Sequence, residues 1–89
     1  MVIVGCGDKR DEWSTVDVAI ALENMVIAAA AQGVGSCWIG DFDEEKVRKL
    51  LNIPNHLKVV AMITLGYPDE EPEMPSKKRL EEIVHYNGF

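Results

Sequence analysis

The chain has little of what metal binding or self-contained acid–base catalysis requires. It holds two cysteines, Cys6 and Cys37, with no Cys-x-x-Cys pair and no cysteine–histidine set at zinc spacing, so no metal site is expected. His56 and His85 stand far apart in sequence and read as surface or edge residues. No pair of carboxylates stands out as a general acid and base, and there is neither a phosphate-binding P-loop nor a G-x-S-x-G elbow. The longest apolar run, Met25 to Ala31, is far shorter than the roughly 20 residues of a membrane span. Met1-Val2-Ile3-Val4 has no basic region and no extended apolar region of a signal peptide. A soluble, cytoplasmic chain with reduced thiols is expected, with no membrane partner. Basic residues are also scarce: 9 against 15 acidic, a net charge of −6, which speaks against nucleic acid as a partner. The local exception is Lys77-Lys78-Arg79, a cluster better suited to a small anion than to a polyanion.

What is present is a globular composition, 47% hydrophobic in 89 residues, enough for one small domain with a thin margin of stability. Val2 to Val4 are β-branched and predict a strand closed by a turn at Gly5 to Asp8. A long helix is expected from Ser14, whose hydroxyl can cap the first turn with Asp17 three residues on, to about Gln32, with Gly33 as the left-handed residue that ends it. This helix is apolar on most faces and so belongs in a core or an interface. A second helix opens at Asp41 or Asp43, with Glu44 and Glu45 in its first turn and Arg48 and Lys49 in its last. Glu44–Arg48 and Glu45–Lys49 are its i,i+4 pairs, Val47, Leu50 and Leu51 its expected buried side, and Asn52 and Pro54 its stop. Leu57 to Leu65 is a nearly continuous apolar strand, expected to be covered on both faces. Asp69 to Pro75 is a solvated connection, and Ser76 to Phe89 is either a short helix or an extended arm. The expected order is β-α-α-β plus a C-terminal tail. Two strands do not make a self-sufficient sheet, so a partner chain or a missing N-terminal portion is expected.

Gly33 to Gly40 is glycine-rich but does not fit a dinucleotide fingerprint, because its glycines follow a helix rather than a strand. Taken alone it reads as a helix cap and a buried turn. The basic triplet alone reads as solvated surface. If a helix starts at Ser76, these cations lie at its positive end, a cost that a bound phosphate would offset. Glu23, the one carboxylate in the middle of the long helix, reads as a half-exposed surface position.

Taken together, D-x-A-I-A-x-E-N-M from Asp17, the G-x-G-S-C-W-I-G loop, the L-x-I-P helix end, V-V-A-x-I-x-L-G-Y-P and the basic residues before L-E-E-I-V-H resemble the nitroreductase family of FMN-dependent oxidoreductases. The resemblance runs from Asp17 to His85 and implies an α+β fold, a sheet flanked by helices, in an intimate homodimer with the long helix at its interface. It implies FMN as cofactor, NAD(P)H as hydride donor to flavin N5, and a nitroaromatic, quinone or similar small molecule as acceptor. The flavin carries that chemistry, so no catalytic side chain is expected. By position, Cys37, Trp38, Ile39 and Gly40 match the loop against the isoalloxazine ring, Gly35 and Ser36 shape that loop, and Lys77 and Arg79 match the residues that hold the FMN phosphate. The arginine- and serine-rich motif of the family's N-terminal half has no counterpart here. Residues 1–89 therefore resemble the C-terminal portion of such a domain, a partial nitroreductase-like fold without its N-terminal half. A non-catalytic dimerisation fragment with a vestigial flavin loop is the rival expectation.

Overall fold

The computed structural model describes all 89 residues. Three segments pair into one antiparallel sheet: β1 (Val2–Asp8), β2 (Gly35–Ile39) and β3 (Leu57–Gly66), in the order β1-β3-β2. Two helices, α1 (Ser14–Ala31) and α2 (Glu44–Leu51), alternate with the strands. The architecture is α+β, as expected, but the order is β-α-β-α-β rather than β-α-α-β. The segment read as a loop after the long helix is the second edge strand, with Gly35 opposite Gly66 and Ile39 opposite Met62. The expected both-sided burial of β3 is also corrected. Val59, Ala61 and Ile63 are buried, whereas Val60, Met62 and Thr64 between them are only half-buried, so one face of the strand is fully covered.

That covered face lies under α1. Leu22 is 2% exposed and Ile63 fully buried, and with Ala61 they make the centre of the core, flanked by Ile3, Val18, Val26 and Leu65. The helix comes this close because β1 offers no side chain at the crossing. A Cβ on Gly5 would lie 2.7 Å from both Leu22 and Val18, and one on Gly7 would lie 2.9 Å from the Ser14 Cβ. The register of β1 against β3 slips between Gly5 and Cys6, a bulge at the same place. Ser14 does not cap the helix. It is buried in the first turn, and its hydroxyl donates to the Asp8 carbonyl at 2.7 Å, fastening α1 to the end of β1. The C-terminus follows expectation: Gly33 adopts φ +74°, and the Val34 N–H donates back to the Ala29 carbonyl. The outward face of α1 stays apolar, with Val16, Ile20 and Ile27 exposed by 46%, 56% and 60%. By length and composition alone α1 could cross a membrane, but here it is seated on the sheet through Leu22 and Val18.

Helix α2 turns a different side inward than its apolar residues predict. Asp43 caps it by accepting from the Lys46 N–H, and Asn52 closes it in the left-handed region at φ 53°. Leu50 and Leu51 are 80% and 51% exposed, whereas Arg48 is buried. The reason is hydrogen bonding. The Arg48 guanidinium donates to the Pro54 carbonyl at 3.0 Å and to Glu44 Oε1 at 2.8 Å. The same Glu44 oxygen accepts the Val59 N–H at 3.0 Å, which ties α2 to the central strand. Glu45 pairs with Arg48 as well, at 3.5 Å, and not with Lys49 as expected.

Beyond Gly66 the chain is an exposed arm: Pro68 passes Gly35 of β2, and the single 3-10 turn, Leu80–Glu82, contacts no helix or strand. The radius of gyration is 16.3 Å, against about 12 Å for a compact chain of this length.

Leu22→Ala lowers unfolding free energy by about 2–5 kcal/mol in urea titration, and Gly5→Val lowers the melting temperature more than a valine at exposed Gly40 does. The Glu44 carboxyl is held below its ordinary value of 4.5, first by the Val59 N–H and then by Arg48. Its contribution to stability is therefore present above that value and lost as pH falls through the lower folded-state value. Glu44→Gln flattens the acid limb of a stability-against-pH curve; an unchanged limb would remove Glu44 from the account.

Candidate functional site

The predicted site residues Gly35 to Gly40 lie along the outer strand of the sheet. Having a partner on one side only, β2 turns alternate backbone N–H and C=O groups outward, unpaired within this chain. Strand geometry also sorts its side chains. Trp38 stands opposite Ile63, and Cys37 opposite Thr64. Ser36 and Trp38 thus share the helix-covered face, while Cys37 and Ile39 share the other. The side chains of the expected ring-facing residues Cys37, Trp38 and Ile39 therefore divide between two faces, and only the backbone edge is common to all.

Two side chains outside the motif hold that edge. The Trp38 indole Nε1 donates to Glu23 Oε2 on α1 at 3.2 Å. The Thr64 hydroxyl approaches the Cys37 carbonyl at 3.5 Å. Sequence reasoning took Glu23 for a half-exposed surface position and gave Thr64 no role. Their only signals were compositional: Glu23 is the one acid in the middle of an apolar helix, and Thr64 the one hydroxyl in β3. Gly35 sits tightly, its Cβ direction 3.3 Å from the Gly66 carbonyl, whereas Gly40 has open space around it.

Two grooves meet at the start of β2. One, about 440 Å³, is apolar and runs along the end of α1 past Met25, Ala29, Val34, Leu65 and Tyr67. The other, about 510 Å³, passes Gly35, Ser36 and Thr64 and carries Asp69 and Glu70 in its wall. No basic side chain lines either, so neither holds a phosphate through residues of this chain. Lys77 and Arg79 lie in the exposed arm and in the wall of neither groove. The Arg79 guanidinium is within 3.3 Å of Glu81 and 3.4 Å of Glu82, and Glu82 also accepts the Arg79 N–H at 2.7 Å. These exposed pairs are weak and exchangeable. The structure thus brings Gly35 to Gly40 together along one edge, while Lys77 and Arg79 line neither groove beside it.

The sequence matches the model of the nitroreductase family over residues 2–67. It is 36% identical over 81 residues to a relative from Archaeoglobus fulgidus that bears the names NADH dehydrogenase and NAD(P)H nitroreductase; the match covers 80% of this chain and 46% of the relative. The fold superposes on a nitroreductase family protein of Clostridium difficile 630 with a TM-score of 0.89 at 25% identity, covering 99% of this chain and 59% of the other. It also superposes on an iodotyrosine deiodinase bound to FMN and 3-iodo-L-tyrosine with a TM-score of 0.83 at 29% identity, over 99% of this chain and 47% of that one. The chain spans less than half the length of the curated relatives it matches, and it has a partial nitroreductase-like fold.

The thiols differ in reach. Cys37 is exposed, while Cys6 is half-buried and its thiol is pushed up, chiefly by burial, with Arg48 opposing the shift. Iodoacetamide at neutral pH is expected to label Cys37 well before Cys6, read by peptide mass spectrometry. Labelling of Cys6 first would contradict its partial burial in β1 beside Arg48 and Glu44 of α2.

Proposed function

The chain belongs to the nitroreductase family, and from that premise we propose that it is the C-terminal portion of an FMN-dependent NAD(P)H oxidoreductase, cytoplasmic, working as a dimer or together with a complementary N-terminal half. The observation that carries this reading is that the family match, residues 2–67, includes the whole β2 edge and the strand that supports it. Support for the cofactor comes from the FMN-bound relative, which shares this fold.

The residues present fit one side of the group. The outward backbone of Cys37 to Gly40 offers hydrogen-bond donors to the polar edge of an isoalloxazine ring, and open Gly40 leaves room for close approach. The phosphate side is incomplete. Lys77 and Arg79 are the cations available for it, and reaching it requires Arg79 to exchange Glu81 and Glu82 for phosphate, a bidentate partner of higher charge. When bound, FMN supplies the hydride transfer from NAD(P)H to a nitroaromatic, quinone or similar acceptor. The chain's part is to bind and orient the ring, and a dyad of titrating side chains is not needed for that.

The second reading, a non-catalytic dimerisation fragment, draws on the outer side of α1, where the apolar side chains of Val16, Ile20 and Ile27 are exposed. One experiment separates the two. The 89-residue chain is titrated with FMN alone and after co-expression with the N-terminal half of the Archaeoglobus fulgidus relative, with size-exclusion mass measured in parallel. Retained flavin absorbance in the assembly, weakened about 10- to 100-fold by Arg79→Ala, supports the oxidoreductase reading. A stable dimer that never retains flavin supports the fragment.

A further inference from the structure

The hydrogen bond between Trp38 and Glu23 joins the centre of α1 to the edge strand across 15 residues of chain. The contact is solvent-exposed, and two features give it a structural role. Trp38 is the largest side chain on β2, and it stands opposite fully buried Ile63 on the helix-covered face and is 41% exposed. Its polar end would otherwise face water freely, yet it is aimed at the one carboxylate in the middle of α1, and that carboxylate lies one residue after core-centre Leu22. Glu23 thus rides on the best-anchored turn of the helix. An indole N–H donating to a carboxylate is a charge-assisted bond with one donor and a defined direction. The Thr64 hydroxyl reaches the neighbouring Cys37 carbonyl from the other face. The segment 37–38 is therefore held from both sides of the sheet, by a helix on one and the central strand on the other.

We propose that Glu23 is a positioning residue: through Trp38 it fixes the tilt of β2, and with it the direction of the outward N–H groups of Cys37 to Gly40. The consequence for flavin rests on the proposed function, because those N–H groups are the donors offered to the ring. Glu23 does not itself touch the ring. It acts by preventing the edge strand from rolling about its single line of pairing with β3, a freedom that an inner strand lacks.

The test has two arms. In the first, the FMN-free 89-residue chain with Trp13→Phe leaves Trp38 as the sole indole. Glu23→Ala is expected to increase acrylamide quenching of Trp38 about twofold and to speed amide exchange of the peptide covering 35–40, while Glu23→Gln, whose amide oxygen still accepts, restores both. Glu23→Ala placed on Trp38→Phe is expected to change exchange no further. In the second arm, in the co-expressed assembly, Glu23→Ala weakens FMN binding about tenfold and shifts the visible flavin band, again with rescue by Gln. If Glu23→Ala leaves both quenching and exchange at 35–40 unchanged, the inference is overturned whatever the flavin does. It is also overturned if the edge loosens while the assembly binds FMN with unaltered affinity and spectrum. An assembly that binds no FMN in the wild type, with the first arm positive, overturns the proposed function and leaves the Glu23 role in the edge strand standing.

Discussion

Everything else in the fold depends on the place where α1 comes down on the sheet. Gly5 supplies the gap, Leu22 fills it, and Ile63 and Ala61 receive it. Burying one leucine this completely is worth about 2–3 kcal/mol, a large share of the margin of a chain this small. From this contact the helix reaches in two directions. Toward its start, the Ser14 hydroxyl holds the Asp8 carbonyl; toward its middle, Glu23 holds Trp38. Both edges of the sheet are therefore located relative to the same turn of α1. A residue larger than glycine at position 5 would lift the helix and displace both.

What could be read from the sequence and what could not divide along a physical line. The long helix, its glycine stop at Gly33, the Asp43 cap and the strand over 57–65 were legible because each is written in local chemistry: a left-handed position, a short acceptor before a helix, an apolar run. The strand over 35–39 was not legible. It is five residues long and begins at a glycine, and it is a strand because β3 has an open side for it, which is a tertiary fact. Arg48 fails for a similar reason. By charge it belongs on the outside, and only the Pro54 carbonyl and Glu44, placed there by the fold, make its burial favourable over that of Leu50. Ser14 was read as a cap because its type and place allowed it; the nearby Asp8 carbonyl took the hydroxyl instead.

The charge distribution separates the two ends of the candidate site. The groove beside Ser36 has Asp69 and Glu70 in its wall, while the cations expected to meet a phosphate are in the arm, where Arg79 is paired with Glu81 and Glu82. In a chain of net charge −6 an anion finds no general attraction. A dianionic phosphate can be held only where specific donors converge, and Arg79 can be recruited because its present partners are exposed and so cost little to leave. On the proposed reading the ring side needs no such rearrangement, since the edge strand already stands in place.

The alternation along β2 explains how a motif of such different side chains can serve a single flat ligand. Cys37 and Trp38 point to opposite faces, so a planar ring cannot engage both side chains from one face of the sheet. What such a ring can engage is the strand's edge, where the hydrogen-bonding groups belong to the backbone and are the same whatever the side chains are. The side chains then matter for where the edge is held. Trp38 carries it to α1, the Cys37 carbonyl meets Thr64, Gly35 lets β2 pass close to the Gly66 carbonyl, and Gly40 leaves the approach open. A site read through backbone donors on an edge strand has little rigidity of its own, since half of its hydrogen bonds are unmade until a ligand arrives. Its precision has to come from contacts behind it, and in this chain those contacts lead back to the turn of α1 that carries Leu22.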